Sequence, residues 1–303
     1  MKTIDNIDNL ESIGRKMVKM IKRAIVIIQN ETHRMIVEDK IGYSGLKDDI
    51  VTSGDKKAQA MYYAEIRKVF PTFGIIAEEG GLKVLCTNGY NKVHFTIDPL
   101  CGTKAYRRKQ SYGVATMITL ICDRIIVAAV VGDINTGEIY YFADVDIEGE
   151  VNHERFGKTT LLVPSQRPLR EQYVSLRTAP DTQAHVVTEM IRRPINGGLF
   201  KNLDVGGGSI GLFFARLWKG EIGGIIVEPG PVTPWDAAPI IGISHRLGFC
   251  YFRIDHEANT LTEFSPLQQD VIYTRPNSEL IIHSSRVNEL RKWYAGYKTQ
   301  FAK

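Results

Sequence analysis

Leu10, Ile13, Met17, Met20, Ile21, Ala24 and Ile28 recur at steps of three and four residues. That spacing draws one apolar face along a long helix, with Arg15, Lys16, Lys19 and Lys22 outside it. The stretch from Glu38 to Asp49 has no such period, and with Gly42, Gly45 and many charges it reads as a mobile loop. Thr52 or Ser53 is placed to cap a second helix reaching about Val69, and Pro71 ends it. Short apolar runs follow at Phe73 to Ala77, Val93 to Ile97, Val114 to Cys122, Ile125 to Val131 and Ile139 to Phe142, and these predict strands. The "GDINTGE" between the last two is a hairpin signal, with Asn135 and Gly137 suited to positive φ.

The second half alternates. "YVSLRT" is strand-like, Thr182 to Arg192 helix-like, and three glycines at 206 to 208 precede a helix from Ser209 to Lys219. "IGGIIVE" predicts a strand, Ala237 to Leu247 a helix, and "FCYFRI" a strand again. An antiparallel-rich part followed by a β-α-β-α-β part gives a layered α/β or α+β protein. The change falls in the charged segment near 145 to 160, so two lobes are expected, residues 1–150 and 151–303.

Composition narrows the function classes without naming one. The chain has 303 residues, 44% of them hydrophobic and 24% charged, with a formal net charge of +4. That suits an ordinary globular protein and gives no reason to expect a nucleic-acid polymer as partner. Cys86, Cys101, Cys122 and Cys250 are widely spread with no C-x-x-C pair, which fits a reducing cytoplasm. Asp5, Asp8 and Glu11 precede any apolar run, and no run approaches the ~18 apolar residues of a membrane span. A cytoplasmic protein with no membrane association is expected. The histidines show no H-E-x-x-H or other metal-ligand spacing.

Acidic residues at turns and strand ends supply the candidate chemistry. Asp55 opens a helix, Glu78 and Glu79 end the "FGIIA" run, Asp98 ends "VHFTI" before Pro99, and Asp236 opens a helix after Pro234-Trp235. The residue before a proline is held extended, so Asp98 should project its carboxylate from a strand end. Taken singly, each acid is more simply a helix cap or surface group; clustered, they would need cations, and oxygen ligands of this kind suit Mg²⁺. Gly207 to Gly211 also fits the G-x-S-x-G nucleophile pattern around Ser209, with Asp255 and His283 following in hydrolase order. The strand before it, Asn202 to Val205, is weak, and Ser209 reads more simply as a helix cap whose free N–H groups could hold a substrate oxygen.

Taken together and in order, the segments "DDIVTSGDKKAQ", "GIIAEEGG", "DPLCGT", the run from 130 to 143, "GGSIGL" and "PWDAAP" resemble the inositol monophosphatase superfamily, Mg²⁺-dependent and typically lithium-sensitive phosphomonoesterases. The resemblance spans roughly residues 47 to 240. It implies an αβαβα layered sandwich with two or three metal ions held between two lobes, most ligands coming from residues 1–150. By position, Glu78, Asp98 and the Leu100 carbonyl would hold the first ion, and Asp98 and Asp236 the second. Asp55 and Thr103 would orient the attacking water, and Asp55 would reach a third ion through water. Gly102 and Thr103 would donate to the phosphate, Gly208, Ser209, Ile210 and Glu228 would line the substrate, and Lys47 lies in the loop over the site. Similar proteins are commonly homodimers.

Cys101 stands where the resemblance requires an aspartate for the second ion. A thiol offers no hard charged oxygen, and a thiolate serves Zn²⁺ better than Mg²⁺; Mn²⁺ is a further alternative. The expected function is therefore a Mg²⁺-dependent phosphatase of a small metabolite: an inositol or sugar phosphate, or a 3'(2'),5'-bisphosphate nucleotide. A catalytically impaired, ligand-binding homologue and, remotely, a serine esterase built on Ser209 are its rivals. Lys104, Gln110 and Tyr112 lean slightly toward the bisphosphate nucleotidase branch, with Arg107, Arg108 and Lys109 expected to read an extra phosphate.

Overall fold

The computed structural model describes residues 10–301, apart from 44, 48, 88–91, 144–150, 155–157, 162, 164–166 and 267–269. The chain runs α1 (Leu10–Glu31), β1 (Val37–Lys40), β2 (Asp49–Thr52), α2 (Ser53–Val69), β3 (Gly74–Ala77), β4 (Lys83–Val84), β5 (Val93–Cys101), α3 (Thr103–Arg107), β6 (Ala115–Cys122), β7 (Ile125–Asp133), β8 (Ile139–Ala143), β9 (Asn152–Glu154) and β10 (Lys158–Thr160). It continues with β11 (Tyr173–Leu176), α4 (His185–Met190), β12 (Asn202–Val205), α5 (Ile210–Trp218), β13 (Gly224–Val227), β14 (Gly230–Val232), α6 (Pro234–Arg246), β15 (Phe249–Asp255), β16 (Thr260–Phe264), β17 (Tyr273–Arg275), β18 (Ser278–His283) and α7 (Val287–Phe301).

Two sheets dominate: an eight-stranded one ordered β10-β9-β8-β7-β6-β5-β3-β4, and a six-stranded one ordered β12-β11-β13-β18-β15-β16. Three separate apolar clusters order the layers. In the first, Met17 and Ile21 of α1 and Tyr62 of α2 bury against Phe95, Ile118 and Val130 of the large sheet. In the second, Phe214 and Trp218 of α5 and Ile243 of α6 fill the space between Met117 and Phe142 on one sheet and Ile225 and Tyr251 on the other. In the third, Met190 of α4 and Leu290 of α7 cover Val174 and Ile282 on the far face of the small sheet. Helices, sheet, helices, sheet, helices: the αβαβα sandwich follows from where these side chains are dry.

Several expectations shift. Glu38 to Asp49 is not wholly a loop: β1 and β2 pair antiparallel, with Lys40 opposite Asp49. Exposed polar strand residues leave no apolar alternation to detect. The large sheet runs to Thr160, ten residues beyond the expected lobe boundary, because β9 pairs with β8 and β10 with β9. In the β7–β8 turn only Gly137 takes positive φ, at 76°. Asn135 instead donates its N–H to Asp133 Oδ1 at 2.8 Å.

One irregularity positions the site. β5 pairs in register with β6 up to Asp98 opposite Met117, then resumes at Cys101 opposite Ala115, so the β5 side carries an extra residue around Pro99. Proline cannot donate to a ladder and is at home in such a bulge, which turns Asp98, Leu100 and Cys101 out of plain alternation.

Candidate metal centre

Glu78 leaves the end of β3, Asp98 and Cys101 lie at the bulged end of β5, and Asp236 stands in the first turn of α6. β3 and β5 are parallel neighbours, so their ends fall together. Each acid is held by local chemistry. Leu100 donates its N–H to Asp98 Oδ1 at 3.0 Å. Thr233 caps α6, accepting from the Asp236 N–H at 3.3 Å while its hydroxyl donates to Asp236 Oδ2 at 2.7 Å. The ligating atoms of Asp98, Cys101 and Asp236 all lie within 4.8 Å of one another, and Cys101 Sγ is 3.8 Å from Asp236 Oδ1.

Asp55 joins from the first turn of α2. Its Oδ2 accepts the Thr52 N–H at 2.8 Å and the Thr52 hydroxyl, closing a capping box. Its Oδ1 lies 3.3 Å from the Thr103 hydroxyl, which is also 3.0 Å from the Leu100 carbonyl. One hydroxyl proton serves one of these acceptors at a time, which leaves the other lone pairs for water or a cation.

Burial sets the electrostatics. It pushes Glu78 up to about 7, the neighbouring Asp236 adding to the rise and Lys40 opposing it. It pushes Asp55 up to about 6 against the pull of its bond from Thr52. Asp98 is raised well above the carboxylate range by burial and then by the charges of Glu78 and Asp236. Burial also raises Asp236 and, with Glu78, raises Glu79. The Cys101 thiol is driven up by burial and by Asp98 and Asp236.

The direct counter-charge is Lys40, whose Nζ lies 2.8 Å from Glu78 Oε1, 2.9 Å from Glu79 Oε1 and 3.6 Å from Asp49 Oδ2. One ammonium against this many acids leaves a buried excess of negative charge, the condition a divalent ion relieves. The Glu78, Asp98 and Leu100 oxygens fit Mg²⁺. The second position, with sulfur beside two carboxylates, does not supply the all-oxygen shell that Mg²⁺ prefers.

Other expected residues separate into those near this cluster and those elsewhere. Gly102 takes φ of 89°, and a Cβ there would overlap the Gly113 carbonyl and stand 2.8 Å from the Ser209 nitrogen. Ser209 is fully buried, donates its N–H to the Gly113 carbonyl at 2.8 Å, and caps α5 by accepting from Leu212 at 3.4 Å. Ile210, Glu228 and Asp236 share the wall of a cavity of about 560 Å³, and Gly208 offers its carbonyl to Arg177 at 2.7 Å. Lys47 is exposed and pairs with Asp39 at 3.9 Å rather than with the cluster. Arg107, Arg108 and Lys109 are all exposed. Asp255 and His283 do not complete a triad with Ser209. His283 faces Phe249 at one end of β15, and Asp255 is at the other, six residues or roughly 20 Å along the strand. The serine-esterase reading fails on that geometry.

Sequence reasoning missed Lys40 and Arg177. No local pattern marks either one: Lys40 reaches the acids only through the β1–β2 pairing, and Arg177 meets Gly208 across 31 residues of chain.

The profile of the inositol monophosphatase family matches residues 9–290. The chain belongs to the inositol monophosphatase family. Solved structures of the same fold include the Thermotoga maritima IMPase, at 20% identity and TM-score 0.66 over 94% of this chain and 98% of that one. An IMPase/NADP phosphatase complexed with Mg²⁺ and phosphate aligns at 18% identity and TM-score 0.68 over 94% and 96%. A staphylococcal inositol monophosphatase-1, solved as a lithium-chloride-soaked inhibitory complex, aligns at 18% identity and TM-score 0.68 over 94% of each chain. The Nus factor SuhB of Xylella fastidiosa is 35% identical over 60 residues, so the match spans only 20% of that curated relative's length and 20% of this chain. Among the described residues no helix is long and apolar enough to cross a membrane.

Proposed function

We propose that the chain is a metal-dependent phosphomonoesterase acting on a small phosphorylated metabolite. The observation that carries this reading is the convergence of Asp98, Cys101 and Asp236, whose ligating atoms lie within 4.8 Å of one another, beside Glu78, whose charge acts on Asp98. By donor type, Glu78, Asp98 and the Leu100 carbonyl would hold a first ion, Mg²⁺ suiting their oxygens, and Asp98 and Asp236 would hold a second beside Cys101. Divalent ions bound there would supply charge to neutralise a phosphate and would lower the pKa of a coordinated water.

The chain's own groups do the rest. Thr103 and Asp55, 3.3 Å apart, hold and accept the proton of a water poised for attack. The Gly102–Thr103 turn, open at φ of 89°, presents N–H donors to the phosphate oxygens. Ile210 and Glu228 line the adjoining cavity, where the other carboxylate oxygen of Glu228, with Oε1 held by Thr178 and Gln183, would accept hydroxyl groups of the substrate body. Gly208 and Ser209 hold the wall behind them. Lys40 replaces Lys47 as the cation of the β1–β2 hairpin that answers the cluster. Lithium inhibition and a homodimeric state belong to the same reading, by likeness to the family.

Cys101 supports a second reading, a ligand-binding homologue of reduced turnover, because its sulfur sits 3.8 Å from Asp236 in place of a carboxylate. Phosphate release from a panel of inositol, sugar and nucleotide phosphates separates the two. Release that requires a divalent ion and stops with EDTA supports the phosphatase. No release from the natural chain, with turnover appearing in Cys101→Asp, supports the second reading.

A further inference from the structure

Arg177 follows β11 and lies on the wall of the same cavity of about 560 Å³ as Asp236 and Glu228. Its guanidinium is placed by one bond, Nη2 donating to the Gly208 carbonyl at 2.7 Å, and by the Phe213 ring 5.4 Å beneath it. Nη1 is buried and has no hydrogen-bond partner. Among the described residues Arg177 forms no ion pair within 4.0 Å. The acids nearby are already engaged. Glu228 Oε1 accepts from Thr178 at 2.8 Å and Gln183 at 3.2 Å, and Glu279 lies 3.5 Å from Arg275 Nε. Asp236 belongs to the metal cluster, and the charge of Arg177 is felt there.

A partly buried guanidinium with a buried, unused N–H and no carboxylate within ion-pair distance is costly unless something anionic completes it. A planar fork suits an oxyanion. We infer that Arg177 binds a second anionic group of the substrate, a carboxylate or a phosphate on the same small molecule whose scissile phosphate occupies the metal cluster. The cavity is of a size that holds a sugar or short polyol between the two ends. The inference rests on the phosphatase reading and names its substrate class.

The test compares ligands that differ by one anion: glycerol 2-phosphate against 2-phosphoglycerate for a carboxylate, and sorbitol 6-phosphate against sorbitol 1,6-bisphosphate for a phosphate. Calorimetric Kd values are measured for the full chain in Ca²⁺, with released phosphate assayed afterwards to verify intact ligand, and phosphate release is measured separately in Mg²⁺. Wild type is expected to prefer the more anionic member of at least one pair by tenfold or more, and the pair that shows it tells carboxylate from phosphate. Arg177→Gln should bring that ratio to near one, and Arg177→Lys, which keeps a charge and a donor for Gly208, should retain part of it. A wild-type ratio near one for both pairs overturns the inference, whether or not the variants fold. So does an equal weakening of both members in Arg177→Gln, which would mark a purely structural bond to Gly208. If the Kd ratio holds while neither the natural chain nor Cys101→Asp releases phosphate from these ligands or from the inositol, sugar and nucleotide phosphates above, the phosphatase reading fails while anion binding at Arg177 stands.

Discussion

Cys101 Sγ lies 3.8 Å from Asp236 Oδ1, inside the cluster proposed to hold a second metal ion. Sulfur there favours a thiophilic ion over Mg²⁺. Titration with Co²⁺ is expected to give a near-ultraviolet thiolate-to-metal band that Zn²⁺ abolishes by competition. Cys101→Asp and Cys101→Ser should both lack the band. Tight Co²⁺ binding without it would mean that Cys101 is not a ligand.

Lys40 substitutes for missing positive charge by bridging Glu78 and Glu79 at 2.8 and 2.9 Å. Lys40→Met should destabilise the metal-free protein by about 2 kcal/mol, the scale of hydrogen bonds to charged groups. Saturating divalent ion should recover more stability in the variant than in wild type. Denaturation midpoints with EDTA and with metal decide this, and an unchanged EDTA midpoint would remove Lys40 from the site.

Glu78 and Asp55, raised to about 7 and about 6, titrate above their unfolded values near 4. Between those limits the folded chain holds more protons than the unfolded one, so stability falls as pH rises. In EDTA the urea midpoint is expected to drop from pH 5 to pH 8, most steeply between 5 and 6 and levelling off above 7, with a total of a few kcal/mol. Divalent ions should flatten that slope by replacing protons. A midpoint that rises over this range would contradict the electrostatics described here.

Gly102 is confined by both backbone angle and neighbours, with φ of 89° and Ser209 nitrogen 2.8 Å from where a Cβ would stand. Gly102→Ala should cost about 2 kcal/mol or more in stability and abolish phosphate binding together. Ser209→Ala should cost about 1 kcal/mol, the value of a helix cap. Thermal melts and phosphate titration distinguish these outcomes.

The parts of this fold that read from sequence are those with local causes. α1 follows its apolar stripe, α2 starts at the Thr52 cap, and β6 is a continuous apolar run. Asp98, Cys101, Gly102 and Thr103 were visible because they are contiguous. What escaped was made by pairing across the chain. β1 is polar and exposed, so its alternation carries no apolar signal, and Lys40 is invisible without it. Strand β18 and helix α7 lacked strong punctuation, although their residues Leu280, Ile282 and Leu290 close the third core. Arg177 is an ordinary residue after a strand until Gly208 folds against it.

Phosphate release by the natural chain and by Cys101→Asp, across inositol, sugar and nucleotide phosphates with Mg²⁺ or EDTA, separates a metal-dependent phosphatase from an inert binder. A metal-dependent phosphatase whose second ion is weakened by Cys101 should show release that EDTA abolishes and that Cys101→Asp raises tenfold or more in Mg²⁺. Release indifferent to EDTA, or none from either protein on any of these phosphates, would contradict it.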